Sequence, residues 1–163
     1  MGSPPERAPG LLAVDLGLRS GLALYGPDGR LVEYHSRNFG NRARLKRAVP
    51  SVLTGLGPLA WLVLEGGGPV ADIWEREASR RALQVLRVSA EDWREALLYA
   101  REQRSGAQAK DVADGLARRV IDWSRAPRPT SLRHDAAEAI LLGLWGVLEV
   151  GWLTHVPPEV RAR

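Results

Sequence analysis

The sequence predicts an α/β domain built on a five-stranded mixed sheet, three antiparallel strands and then two parallel ones, with helices on both faces. Three observations lead there. The start of the chain carries short apolar or alternating runs broken by turn residues. The middle alternates helical spacing with short apolar runs. The last third has helical spacing almost throughout.

Residues 11–16 form an apolar run that reads as a buried strand. Residues 21–25 resume after a turn at Arg19-Ser20, and Gly26-Pro27-Asp28-Gly29 is a strong turn signal before the alternating run 30–36. These segments make an antiparallel meander. Residues 42–56 have helical spacing, with Leu45, Val49, Val52 and Leu56 on the packed face and Pro50 as an interior bend or break. The wholly apolar run 60–64 delivers Glu65, and Gly66-Gly67-Gly68-Pro69 stops it. A helix over 70–83 and a strand over 84–88 follow. Ser89 caps a helix over 90–101, with Asp92 three residues on. Further helices cover 107–123 and, after a rigid Pro-containing connector, the stretch from 131–134 to 148. Residues 1–10 read as a flexible leader, 11–150 as the domain and 151–163 as a tail, with order ending at Pro157-Pro158.

A chain of 163 residues is most simply one domain, and 45% apolar residues supply a core. The net charge is 23 − 19 = +4, with Lys46 and Lys110 as the only lysines. Arginine's planar donor fork suits phosphate, so a nucleic-acid partner is expected. The absence of cysteine excludes disulfides and thiolate metal sites. The polar start lacks the apolar stretch of a signal peptide, and the apolar run 139–150 is too short to span a bilayer. The expectation is a soluble cytoplasmic protein with no membrane partner.

The chemistry lies in four acidic residues. Asp15 and Glu65 each end a strongly apolar run, and placing the first strand beside the fourth brings them together. Asp135 and Glu138 stand three apart, which puts both on one face of a helix near its N-terminus, where the dipole favours carboxylates. With 19 acidic residues, some near strand ends are ordinary solvated groups; the joint arrangement is what carries information. Clustered carboxylates raise one another's pKa, and a hard divalent cation removes that penalty. Two Mg²⁺ ions roughly 3.5–4 Å apart, replaceable by Mn²⁺, are expected to activate water and stabilise a leaving 3′ oxygen. Asp15 bridges them in this reading, Glu65 holds one side, and Asp135 and Glu138 complete the other.

On VDLGLRSGLAL, WLVLEGGG and HDAAEAILLGL, the chain resembles the RuvC-like branch of Holliday junction resolvases within the RNase H-like superfamily. The resemblance spans roughly residues 11–148. It implies an RNase H-like fold and a two-metal site made of Asp15, Glu65, Asp135 and Glu138. It also implies that Lys110 stabilises phosphate or transition-state charge. The implied activity is a metal-dependent endodeoxyribonuclease that resolves four-way DNA junctions as a homodimer, by paired symmetric nicks leaving 5′-phosphates. Leu16 stands where that branch often has proline, and Glu138 where aspartate is more frequent.

Further candidates surround this set. Arg76, Arg80 and Arg81 recur at helical spacing and read as a duplex-binding stripe or a solvated face balanced by Glu75 and Glu77. Arg42, Arg44, Lys46 and Arg47 form a second basic cluster; Arg118 extends the field or pairs with Asp114. Phe39 is a candidate junction wedge. His134 is a helix-start residue, a water-orienting group or a phosphate contact. The helix after Gly68, with Ile73 and Trp74, is one candidate dimer face. Two other functions remain open: an RNase H-like nuclease acting on RNA, RNA–DNA hybrid or other DNA structures, and an inactive junction-binding protein. The Asp15-Leu16-Gly17 turn also resembles the first phosphate loop of sugar-kinase/actin-like ATPases, but 163 residues cannot supply their two domains, and no GxxxxGK[ST] loop is present.

Overall fold

Strand alternation decides which side of the sheet each residue faces. The structure, a computed structural model, describes residues 7–98 and 106–161. Strands β1 (Gly10–Asp15), β2 (Arg19–Tyr25), β3 (Leu31–Asn38), β4 (Leu59–Glu65) and β5 (Gln84–Val88) form one sheet in the order β3-β2-β1-β4-β5. The β1–β2 and β2–β3 pairs are antiparallel, and β1–β4 and β4–β5 are parallel. The expected mixed sheet is therefore present, with β1 central and buried on both faces.

One face carries Leu12, Val14, Leu62 and Leu64 against α1 (Arg42–Gly55) and α2 (Gly68–Arg80). The other carries Leu11, Ala13 and Val63 against α3 (Ala90–Leu97), α4 (Gly106–Ser124) and α5 (His134–Glu149). Helix α5 lies closest to the sheet. The hydroxyl of fully buried Tyr25 donates to the Ile140 carbonyl, and a Cβ at Gly143 would stand 2.2 Å from the Tyr25 ring. Only a glycine allows that approach.

Several local expectations change. Asn41 caps α1, its Oδ1 accepting from the Arg44 N–H at 2.9 Å. Pro50 does not divide α1, which runs unbroken through it. It leaves the Lys46 carbonyl without its intrahelical donor, a modest loss beside the burial of Leu45, Val49, Val52 and Leu53. Helix α2 begins at Gly68, earlier than its apolar spacing indicated, because Gly66 and Gly68 take positive φ and Pro69 suits the first turn. Order does not stop at Pro157-Pro158. A short helix α6 (Pro158–Arg161) follows; Val160 is fully buried, its carbonyl accepts from Arg119 Nε, and Arg161 Nη1 donates to the Leu97 carbonyl. The end of the helix expected over 90–101 and most of the leader lie outside the described residues, while Gly10 is part of β1. Among the described residues no helix is long and apolar enough to cross a membrane.

Candidate active site

The parallel register places Asp15 beside Glu65. Their odd positions share the side of the sheet that holds Leu11, Ala13 and Val63, so both point toward the α5 layer. On the other flank of β1, Asp15 faces Gly21 of β2. A Cβ at Gly21 would lie 1.8 Å from the Asp135 carbonyl oxygen, so the missing side chain lets the start of α5 sit directly on β2. Asp135 and Glu138, one turn apart, arrive over Asp15 by this route.

Electrostatics reports the convergence. Burial, and then the charges of Glu65, Glu138 and Asp135, push the Asp15 carboxyl up from its usual 3.8 to about 7, against a smaller opposing pull from Arg94. Glu65 is also raised, chiefly by burial, with Glu138 adding to the shift and the Trp93 hydrogen bond, Arg94 and His134 opposing it. The other three sequence-predicted carboxylates therefore all act on Asp15.

Each of three carboxylates is engaged by a protein partner. Trp93 Nε1 donates to Glu65 Oε2 at 2.8 Å. Ser36 Oγ donates to Asp135 Oδ2 at 2.8 Å, and the Ala136 N–H to Asp135 Oδ1 at 2.8 Å. Arg94 Nη2 and His134 Nε2 lie 3.0 and 3.2 Å from Glu138 Oε1. Glu138 is 4% exposed, and its Oε2 has no hydrogen-bond partner. With oxygens turned to these donors, no three His, Cys, Asp or Glu side chains among the described residues stand ready as a ligand set for a metal ion. Proximity is present; convergent ligand geometry is not.

The basic and aromatic candidates divide. Arg81 is a structural clamp: it reaches the Pro50 carbonyl at 2.9 Å, Thr54 Oγ1 at 3.0 Å and Glu77 at 3.2 Å, tying α2 to α1. Arg80 pairs with Glu77 as well. Both end α2, about 18 Å along the helix from its start beside Glu65. Arg76 lines a shallow groove with Lys46, Ile73 and Arg80. Arg42, Arg44 and Arg47 are exposed on α1, whose first turn follows the end of β3 that pairs with Arg19. Arg118 pairs with Asp114 at 2.8 Å. Lys110 is exposed on α4, and the cations whose fields act on Asp15 and Glu65 are Arg94 and His134. Phe39 is 6% exposed and meets fully buried Trp74 edge-on at 6.4 Å, so it belongs to the α1–α2 core rather than to a wedge. Trp74 is likewise unavailable to a dimer face.

Sequence reasoning missed Ser36, Gly21, Trp93 and Arg94, and it also missed Arg19 and Arg133. The latter two line an open pocket with His134 and Asp135. Their only sequence signal is basic character next to the turn after Asp15 and the start of α5.

No family model matches the chain, and no curated protein matches it. A solved structure, of T. thermophilus RuvC in complex with a Holliday junction substrate, is similar over 88% of this chain and 96% of that one, with a TM-score of 0.58 and 15% identity. The fold is RNase H-like. With 88% of the chain aligned, the likeness takes in most of the RNase H-like sheet and its helices.

Proposed function

We propose that the protein is a divalent-metal-dependent, structure-selective endodeoxyribonuclease acting on four-way DNA junctions. It works as a homodimer, nicking opposed strands symmetrically to leave 5′-phosphates, in the cytoplasm at the nucleoid. One observation carries this reading: carboxylates from β1, β4 and α5 meet at one end of the sheet, half-buried and close enough that the other three all raise the Asp15 pKa. The shared fold with a protein seen on a Holliday junction favours DNA of that shape.

The residues fit Mg²⁺ or Mn²⁺ by donor chemistry. They offer hard oxygens, the buried Glu138 Oε2 lacks a partner, and Asp15 ionises reluctantly in their company. Asp15, Glu65, Asp135 and Glu138 would hold the metal, which when bound supplies Lewis acidity and an ionised water at neutral pH. Asp15, fixed by paired strands on both sides, sets the position of the others. Trp93 fixes Glu65 and Ser36 fixes Asp135. His134 and Lys110 act on phosphate or on developing charge. Arg19 and Arg133, with Arg42, Arg44 and Arg47 of α1 beyond the end of β3 and Lys46 in the groove beside α2, guide the DNA backbone toward the acids. Arg76 and Arg118 extend that path.

Mg²⁺ or Mn²⁺ should produce paired nicks at the centre of a mobile four-way junction, with linear duplex, flap and RNA–DNA hybrid left largely intact. Equal cleavage of the hybrid would move the assignment to an RNase H-type nuclease. A second reading, an inactive junction-binding protein, is favoured by the absence of a ready ligand arrangement among the described residues. Tight, salt-sensitive junction binding without cleavage in any divalent metal would establish it.

A further inference from the structure

We propose that Arg94 is the resident counter-ion of the acidic cluster, a positioning residue that holds Glu138 Oε1 and must release it when a divalent cation binds. This rests on the metal-site reading above and adds a competitor to it.

Helix α3 is pinned by two core residues, Trp93 and Leu97, at 0% and 1% exposure. Trp93 turns its indole N–H to Glu65, and the next residue sends its guanidinium to Glu138. Two consecutive residues of one short helix thus hold carboxylates delivered by β4 and α5. The two ends of the Arg94–Glu138 bond differ. Glu138 is 5% exposed in its side chain and cannot leave; the Arg94 side chain is 38% exposed and has solvent beside it. The guanidinium carbon lies 5.2 Å from the Trp93 ring centroid, a face that can keep the cation nearby after release.

A guanidinium and a divalent cation make opposite demands on one carboxylate oxygen. Both are positive, so each disfavours the other at the same place. A protein whose competent state is only partly populated binds with an affinity lowered by that fraction. Arg94 docked on Glu138 is the incompetent state. It neutralises a buried carboxylate that would otherwise be costly, and it weakens divalent binding to the same extent that divalent binding weakens its docking.

The test measures Mn²⁺ affinity of the full chain by paramagnetic resonance of free Mn²⁺, alongside melting in EDTA and in Mn²⁺. Arg94→Met should bind Mn²⁺ about tenfold more tightly than the parent, as expected if the docked state is about 90% populated. It should also melt lower in EDTA and gain more from Mn²⁺. Arg94→Lys, which keeps a charge, should stay nearer the parent. If Arg94→Met does not fold, Arg94→Gln, which keeps a donor without the charge, should show the same tightening. Equal or weaker Mn²⁺ binding in the uncharged variant overturns the proposal while leaving the metal site standing. A purely structural Arg94 would give that result, because loosening Glu138 weakens a ligand set. No Mn²⁺ binding by parent or variant would overturn the metal site itself, and this proposal with it.

Discussion

The two faces of the sheet treat charge in opposite ways. On the α1–α2 face, the arginines at the far end of α2 and on β5 are matched. Arg80 and Arg81 share Glu77, and Arg87 bridges Glu75 and Asp72. On the α3–α5 face, four carboxylates crowd together and lean on Arg94 and His134. The density of basic residues is therefore a poor guide to the working surface here. Imbalance is the better one, because exposed matched pairs contribute little, whereas crowded half-buried carboxylates carry a penalty that a proton, a resident cation or a bound metal must relieve.

The comparison breaks most sharply at Asp15. Asp15→Asn should lower junction cleavage by about a thousandfold or more, by loss of a metal ligand, while binding and fold persist. Retained turnover would remove Asp15 from the mechanism. On the opposite face, Arg81→Ala should leave cleavage unchanged and cost about 1 kcal/mol of stability through its lost clamp.

Next in size is a pair of glycine substitutions. Gly21→Ala puts a methyl against the Asp135 carbonyl, whereas a Cβ at Gly55 in α1 meets nothing within 4 Å. The first should cost about 1–3 kcal/mol and lower cleavage about a hundredfold with every carboxylate intact. The second should be neutral or slightly stabilising. Denaturant titration and a cleavage assay read both; equal stability of the two variants would show that α5 does not depend on the gap at Gly21.

Backbone contact should follow the site edge. Replacing Arg19 and Arg133 together by alanine should weaken junction binding about tenfold and flatten its salt dependence. Replacing Arg80 and Arg81 should leave both nearly unchanged. The reverse result would move the DNA path to α2.

The smallest effect is pH dependence. Folded Asp15 keeps its proton to about pH 7, and its ordinary value is 3.8. Between those values the folded chain binds more protons than the unfolded one, so stability in EDTA falls as pH rises from about 4 to 7 and levels off above. Glu65 shifts in the same direction. The melting temperature should drop steadily over that window, and Asp15→Asn should flatten the decline. A parent curve that rises through the window would contradict the crowding of these acids.

Much of this was legible in the residues. Apolar or alternating runs located all five strands, and the spacing of Asp135 and Glu138 placed both on one helical face. The adjacency of Asp15 and Glu65 followed from setting the first strand beside the fourth. What periodicity cannot encode is the partner across space. Leu11 through Val14 are all buried, so the run itself does not say which layer Asp15 faces. Trp93 looks like any core aromatic until its N–H is seen on Glu65. Phe39 and Arg81 sit in polar stretches, yet Trp74 covers one and Pro50 and Thr54 hold the other. Asn41 is a cap signal carried by a polar side chain, which apolar spacing does not reveal.

Helix α5 brings half of the acidic groups and lies at the far end of the polypeptide from β1. A ribosome therefore releases Asp15 and Glu65 well before their partners exist. A nascent or prematurely terminated product carries an incomplete set on a sheet whose covering layer is missing. Synthesis order alone therefore leaves an unfinished copy without the complete acidic cluster.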